Sequence, residues 1–350
     1  MKHFLSSIFS VDTLKIRWKT PRCVLFAVIV ICLTEILVAR TDFIWKQEPR
    51  SMLAEMLEME QSIIQKHPHP KILIFGSSRA QAAFLPTLME KQMNLQRGEV
   101  LNLGMSGFFL YSALKVYMRN RSILAGADIV IIEMEYHHLD IKTIEPDERC
   151  RYLINWSDWL AYKGPKRWSL LRSLLFKLPD AVPYVRAYLK HWFSEGHSPE
   201  PVGIDKYGRQ AFWEISDFHD ERRWRDPNYF KEQAISFHNN YEYSKTALEY
   251  FQELVRLAKE DGASVYIIQI PYPEIWTMNL RQYLGNEYNQ YKRNVCHAVA
   301  GLVEKVQFWE NASEAGLSDH DYREQDHLNT VGAIKWTTFF VQWLKQIRSK

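Results

Sequence analysis

Five short apolar runs alternate with helical segments, and this constrains the fold more than any other feature of the chain. The runs are "KILIF" (71–75), "EVLNL" (99–103), "DIVIIEM" (128–134), "SVYIIQI" (264–270) and "KVQFW" (305–309). Near-continuous apolar stretches of this length are the mark of strands buried on both faces, as in parallel sheets. Helical periodicity fills most of the gaps, over 79–95, 108–123, 240–260 and 278–300. The alternation predicts an α/β fold, a doubly wound parallel sheet of flavodoxin-like type. In such sheets the functional residues gather in loops beyond the carboxyl ends of the strands.

The stretch 141–240 breaks this rhythm and reads as a helical, aromatic insertion. Between Arg151 and Phe193 it holds eight basic residues and two acids, Asp158 and Asp180, together with Trp156, Trp159, Trp168 and Trp192. "RWSLLRSLLFKL" mixes basic and apolar residues as an interfacial helix does. Covering the sheet, or shaping a groove for a sugar polymer or a membrane partner, are the other readings of the same composition. The net charge of +3 is too small to argue for a nucleic-acid partner. The four cysteines have no metal-ligand spacing. Cys150 and Cys296 have the option of pairing in an oxidising compartment.

Before the first strand stands "CVLFAVIVICLTEILVA", residues 23–39, a run of 17 with one acid, Glu35. A bilayer core asks for roughly 20 apolar residues, with about 17 as the lower bound. Lys2, Lys15, Arg17, Lys19 and Arg22 precede it against Asp12 alone, whereas the charges after it are mixed. The positive-inside rule then gives a basic cytoplasmic tail (1–22), a transmembrane anchor (23–39) and everything later outside. A cleaved signal peptide and a buried core helix are the rival readings; no A-x-A site follows the run. Residues 50–66 have helical spacing and end at His67-Pro68, which suggests a helical stalk (40–70) lifting the remaining domain (71–350) off the membrane.

Four blocks fall at the strand ends of the expected sheet. They are Gly76-Ser77-Ser78-Arg79, Asn102 to Gly107, "EMEYHHLD" (133–140) and "DHDYREQDHLNTVGA" (319–333). A serine hydroxyl is a weak nucleophile that needs an adjacent base, and histidine is the usual one. An acid must orient that histidine, and backbone N–H groups must meet the developing oxyanion. Ser78 sits where a strand turns into a helix, Gly104 and Gly107 let a second loop come close, and His327 arrives from a distant loop. Ser78 alone would read as a helix cap; three blocks together read as acyl chemistry.

These motifs resemble the SGNH (GDSL-like) hydrolase superfamily over roughly 71–140 and 245–345. "FGSSR" is similar to its first block with Ser78 as nucleophile, "LNLGMSG" to its second with Gly107 in the oxyanion place, and "EQDHLNTVGA" to its last with His327 as base. The GSS form with a late HLN-x-x-GA resembles a membrane-anchored branch. That branch includes D-alanyl-lipoteichoic acid transfer proteins and alginate-type polysaccharide O-acetylation proteins. The resemblance implies an O-acyltransferase or carbohydrate esterase, single-pass in the bacterial inner (cytoplasmic) membrane, with its domain in the periplasm. It implies a polysaccharide substrate, a membrane-bound O-acyltransferase as acyl donor, and no cofactor or metal.

The chain departs from the family pattern in three places. The third block lacks the oxyanion Asn, and His137 falls near its position. Glu324 stands where the family has Asp three residues before the His, with Asp326 as the alternative acid. Ser77 replaces the Asp that commonly precedes the nucleophile. Arg79 has two readings, a grip on an anionic substrate group or a pair with an acid. His137 and His138, with Glu133 and Glu135, invite a metal, but neighbours on a strand point to opposite faces. An inactive SGNH-type subunit that binds polysaccharide or scaffolds an envelope assembly is the non-enzymatic alternative.

Overall fold

The computed structural model describes residues 21–36, 42–46, 51–107, 110–140, 148–161, 167–193, 226, 228–240, 242–323 and 326–349. Its centre is one parallel sheet of five strands: β1 (Ile72–Gly76), β2 (Val100–Gly104), β3 (Ile129–Glu133), β4 (Ser264–Gln269) and β5 (Lys305–Phe308). Every position of β1, β2 and β3 is buried, as their unbroken apolar sequences require. The order is β2-β1-β3-β4-β5. The chain reverses direction across the sheet between β1 and β3, which pair in parallel from Ile72↔Ile129 onward. A switch point of this kind opens a crevice at the strand ends.

Period-two alternation divides the strands between two cores. Leu73, Phe75, Leu101, Leu103, Val130 and Ile132 face one; Ile72, Ile74, Val100, Ile129 and Ile131 face the other. The helices include α1 (Pro21–Thr34), α2 (Met52–Met59), α3 (Ser78–Ala83), α4 (Pro86–Met93), α5 (Leu110–Arg119), α6 (Arg167–Leu175), α7 (Leu178–Phe193), α8 (Lys245–Glu260), α9 (Glu274–Ala298) and α10 (Thr330–Arg348), besides shorter or peripheral ones such as Trp156–Ala161 and Tyr229–Asn240. Buried residues of α2, α5, α8 and α9 build the first core, and those of α3, α4 and α10 build the second. The sheet is thus covered on both sides.

Three expectations change. The helix expected over 79–95 is two helices, because Leu85 precedes Pro86 and takes extended backbone. Thr337 of α10 bridges the break: its hydroxyl donates to Ala83 O at 3.0 Å and accepts from Leu85 N–H at 3.1 Å. The stalk helix is no stalk. Leu53, Met56, Leu57, Met59, Ile63 and Ile64 are buried in the first core, so α2 and the turn after it belong to the domain. Cys150 and Cys296 are not joined by a disulfide: Cys150 is buried within the insertion and Cys296 is exposed on α9.

The basic tail over 1–20 and the last part of the apolar run, 37–39, lie outside the described residues. Among the described residues no helix is long and apolar enough to cross a membrane. The 14 residues of α1 span about 21 Å at 1.5 Å per residue. Much of the insertion, 194–225 above all, also lies outside the described residues.

Candidate active site

Gly76 ends β1 where no other residue fits. A Cβ there would meet Ala80 Cβ at 2.6 Å and Glu133 Cβ at 2.7 Å. This close approach lets α3 start directly off the strand, with Ser77 as its N-cap. Ser77 Oγ accepts the Arg79 N–H at 3.1 Å. The cap is therefore Ser77, and the neighbouring Ser78 hydroxyl is left to the site. Ser78 Oγ lies 2.7 Å from His327 Nε2, across 249 residues of sequence.

His327 is presented by a short hairpin. Tyr322 and Leu328 form an antiparallel bridge, and Arg323 N–H donates to His327 O at 2.9 Å. Asn329 then caps α10 by accepting Gly332 N–H at 3.0 Å. A Cβ on Gly332 would run into the Asp321 carbonyl, so this glycine sets how closely α10 packs under the hairpin. Asp326 Oδ1 stands 2.7 Å from His327 Nδ1, off the line of the ring N–H. With the ring proton assigned to Nδ1, facing this carboxylate, the Ser78 hydroxyl donates to Nε2. Glu324 lies outside the described residues, and Asp326 is the acid that the described residues bring to the imidazole. Adjacent side chains converge here because the hairpin turns between them.

Arg79 faces inward, 2% exposed, and touches no solvent-facing ligand site. Its Nε donates to Asp326 O at 2.7 Å, and its Nη2 donates to Ile270 O at 2.9 Å and Pro271 O at 2.8 Å. Its Nη1 is 3.0 Å from Glu135 Oε1 in a fully buried ion pair, close but not linear as a hydrogen bond. The guanidinium also stacks on Tyr272, 3.7 Å from the ring centroid. Burial works against its charge, but Glu135, Tyr272 and Glu133 outweigh that and raise its pKa. Of the two readings, pairing with an acid is the one seen; the anionic-substrate reading is corrected, because the group is sealed in.

Two acids, Glu133 at the end of β3 and Glu135 just beyond it, hold the turn from below. Glu133 Oε2 accepts Ser77 N–H at 2.8 Å, and Glu135 Oε1 accepts from Ser77 Oγ at 3.1 Å. Burial pushes the Glu133 carboxyl well above the usual range, helped by the charge of Glu135. Burial also pushes Glu135 upward, but Arg79, His137 and the hydrogen bond from Glu133 outweigh it and hold it well below that range. The two buried carboxyls are thus pushed in opposite directions, Glu133 up and Glu135 down.

On the other side of the turn, Asn102 of β2 donates to Ala80 O at 3.0 Å and Phe84 O at 3.2 Å, and accepts Gly104 N–H at 3.0 Å. It ties α3 to the glycine loop. That loop ends at Gly107, with φ +54°, whose carbonyl accepts from the buried Arg149. Gly107 is exposed beside residues 108–109, which lie outside the described residues.

The histidine pair sits on a 3-10 turn, Tyr136–Leu139, beyond the strand. The alternation expected of strand neighbours therefore does not apply, and the two rings lie 4.5 Å apart. His137 Nδ1 is 3.1 Å from Glu135 Oε2, so it is joined to Ser77 through that carboxylate. Glu135, His137 and His138 offer three atoms within 4.8 Å of one another. A cation already serves this cluster, namely Arg79, and a metal would meet its charge. Glu135 N–H donates to His138 Nδ1 at 3.0 Å, which places any neutral ring proton on Nε2.

Burial depresses the pKa of His138 well below normal, and His137 adds to this. An unfolded histidine titrates near 6.5, so below about pH 6.5 the unfolded chain takes up a proton that the folded chain refuses. Stability falls as pH drops through that window, by up to about 1.4 kcal/mol per unit from this group. Unfolding midpoints in denaturant at pH 7.5 and 5.0 test this. The shift between them should shrink in His138→Gln, and an equal shift would remove His138 as the cause.

The acids were visible in the sequence as a different signal from the one read. A glutamate ending a wholly apolar strand must find a partner inside, and Arg79 sits alone in an equally apolar helix. Asn102 gave a weaker sign, as an amide within a buried strand.

No protein-family model matches the chain, and no curated protein matches its sequence.

Proposed function

We propose that the chain is a serine acyltransferase or carbohydrate esterase of SGNH type, held at a membrane and acting outside the cytoplasm on a polysaccharide, by O-acetylation. The observation that supports this reading is the 2.7 Å contact between Ser78 Oγ and His327 Nε2 at the switch point of the sheet. That spacing suits direct proton transfer.

Ser78 attacks the acyl carbonyl while His327 Nε2 takes its proton. Asp326 stabilises the imidazolium that forms, a role for which Glu324 was the motif-based expectation. The N–H groups of Ser78 and Gly107, with His137, are assigned to the oxyanion. The proton on His327 then passes to the leaving group. A glycan hydroxyl, or water in an esterase, gives its own proton to His327 as it attacks the acyl-serine, and Ser78 is restored. A membrane-bound O-acyltransferase is the proposed donor of the acyl group, in keeping with residues 23–39 as a bilayer anchor.

A fluorophosphonate probe tests the nucleophile. The full chain in detergent should be labelled, and Ser78→Ala should not be. Equal labelling of both forms, or none of the wild type together with unchanged polymer acylation in Ser78→Ala cells, would leave the scaffold reading in its place.

A further inference from the structure

Among the described residues, the large exposed apolar side chains are concentrated in two segments, α1 and the insertion helices. Along α1, Val24, Leu25, Phe26, Val28, Ile29 and Val30 are all exposed, with no polar face between them. Across the insertion, Trp156, Leu160, Trp168, Leu175, Val182 and Leu189 are exposed, Trp168 by 75%. Among the described residues, the large exposed hydrophobics elsewhere are isolated apart from Val331 and Ile334, one turn apart on α10.

The two segments are joined. Glu35, just past the end of α1, accepts Lys177 N–H at 2.6 Å and Leu178 N–H at 2.7 Å. Its carboxylate thus caps α7, where the helix dipole favours negative charge. A few residues on, Trp45 is buried against Tyr152 and Tyr184, with ring centroids 5.3 Å and 4.9 Å away. Hence α1 is not a loose tether. It leaves its own apolar surroundings directly onto the insertion.

The insertion helices are patterned for that position. On α6 Trp168, Arg172 and Leu175 recur at i, i+4 and i+7 and face out, while Leu170 and Ser173 are buried. On α7 Val182, Arg186 and Leu189 repeat the spacing, and Ala181, Tyr184 and Ala187 face the domain. Each outward stripe is therefore apolar, basic, apolar. The one acid of these two helices, Asp180, is paired with Arg172 at 2.6 Å, and Asp158 on the preceding helix (Trp156–Ala161) is paired with Lys115 at 2.5 Å. Arg186 and Lys190 remain exposed at the stripe edge. Aliphatic and Trp side chains with interleaved, snorkelling cations fit the boundary between acyl chains and anionic headgroups.

We infer that α6 and α7 lie in the surface of the same bilayer that α1 enters, forming a lipid-bound foot whose geometry is fixed by Glu35. This rests on the reading of residues 23–39 as an anchor, and the foot adds to it a second contact that fixes the domain's orientation. The glutamate in the apolar run is thereby accounted for. It belongs to the headgroup level, as a helix cap, and not to the hydrocarbon.

The test uses the full chain in vesicles of phosphatidylcholine and phosphatidylglycerol, with Cys23, Cys32 and Cys296 replaced by serine. A polarity-sensitive nitrobenzoxadiazole probe is placed singly at Trp168→Cys, Leu175→Cys, Val28→Cys or Lys245→Cys. The first three sites are exposed apolar positions and the last is an exposed position on α8. Probes at 168 and 175 should lose emission to lipids carrying a shallow nitroxide and resist aqueous iodide. The probe at 245 should do the reverse. If 168 and 175 respond to iodide while 28 responds to lipid, the foot is overturned and the anchor stands. That face would then be left to a protein partner. If 168 and 175 respond to lipid but 28 does not, the anchor reading fails and the inference as stated falls with it, leaving α6 and α7 as a lipid contact independent of α1.

Discussion

Replacing His327 by alanine is expected to lower hydrolysis of an aryl acetate on the order of 10⁶-fold, the same loss as Ser78→Ala. The two residues act as one unit, so the double variant should be no slower than either single one. The acid contributes less. Asp326→Asn leaves the ring close to its place but removes the charge that stabilises the imidazolium, and a loss of roughly 10⁴-fold is expected. Glu324→Gln should cost less than about tenfold, or about 1.4 kcal/mol of barrier. Single-turnover rates on the full chain decide between the acids. A larger loss in Glu324→Gln than in Asp326→Asn would return the role to Glu324.

Replacing Arg79 by methionine is expected to be the most destabilising change among the polar residues of the site. It leaves Glu135, 1% exposed, as a buried charge without its main partner. Breaking one side of such a pair costs about 3–5 kcal/mol. At about 2–4 °C per kcal/mol, the melting temperature should fall by roughly 10 °C. Arg79→Lys separates charge from geometry. A lysine keeps the charge but cannot serve Asp326 O, Ile270 O and Pro271 O together, because it lacks the planar fork. The hairpin carrying His327 would loosen, and kcat should fall with little change in KM. Adding Glu135→Gln to Arg79→Met should recover part of the lost stability. Thermal unfolding of the four forms checks this, and a methionine variant melting within about 2 °C of wild type would show that the clamp is not stabilising.

The fold was legible because buried parallel strands write themselves as unbroken apolar runs, and all five runs became strands within a residue or two. The break at Leu85 was less visible, since the helical periodicity continues through it and Pro86 suits the first turn of a new helix. Ser78 and His327 were found through motif context, and each alone would have read as a cap. The acid was harder. Spacing favoured Glu324, whereas the turn between Tyr322 and Leu328 aims Asp326 at the ring, and no periodicity reports where a hairpin points its side chains. Arg79 was ambiguous for the same reason: sequence shows a charge beside a nucleophile and cannot show that it faces the core. The stalk failed because amphipathic spacing announces a buried face without naming what buries it.

The clamp built by Arg79 also bears on when the site comes into being. Ser78 stands near the beginning of the domain, and His327 follows 249 residues later, just ahead of the last helix. A domain synthesised from its N-terminal side therefore carries Ser78 without His327 for most of its synthesis. The contact between the two is completed only when the hairpin ahead of α10 is held against the Arg79 guanidinium. If Ser78 is the nucleophile proposed above, copies that lack the last helix and its hairpin should show no hydrolysis.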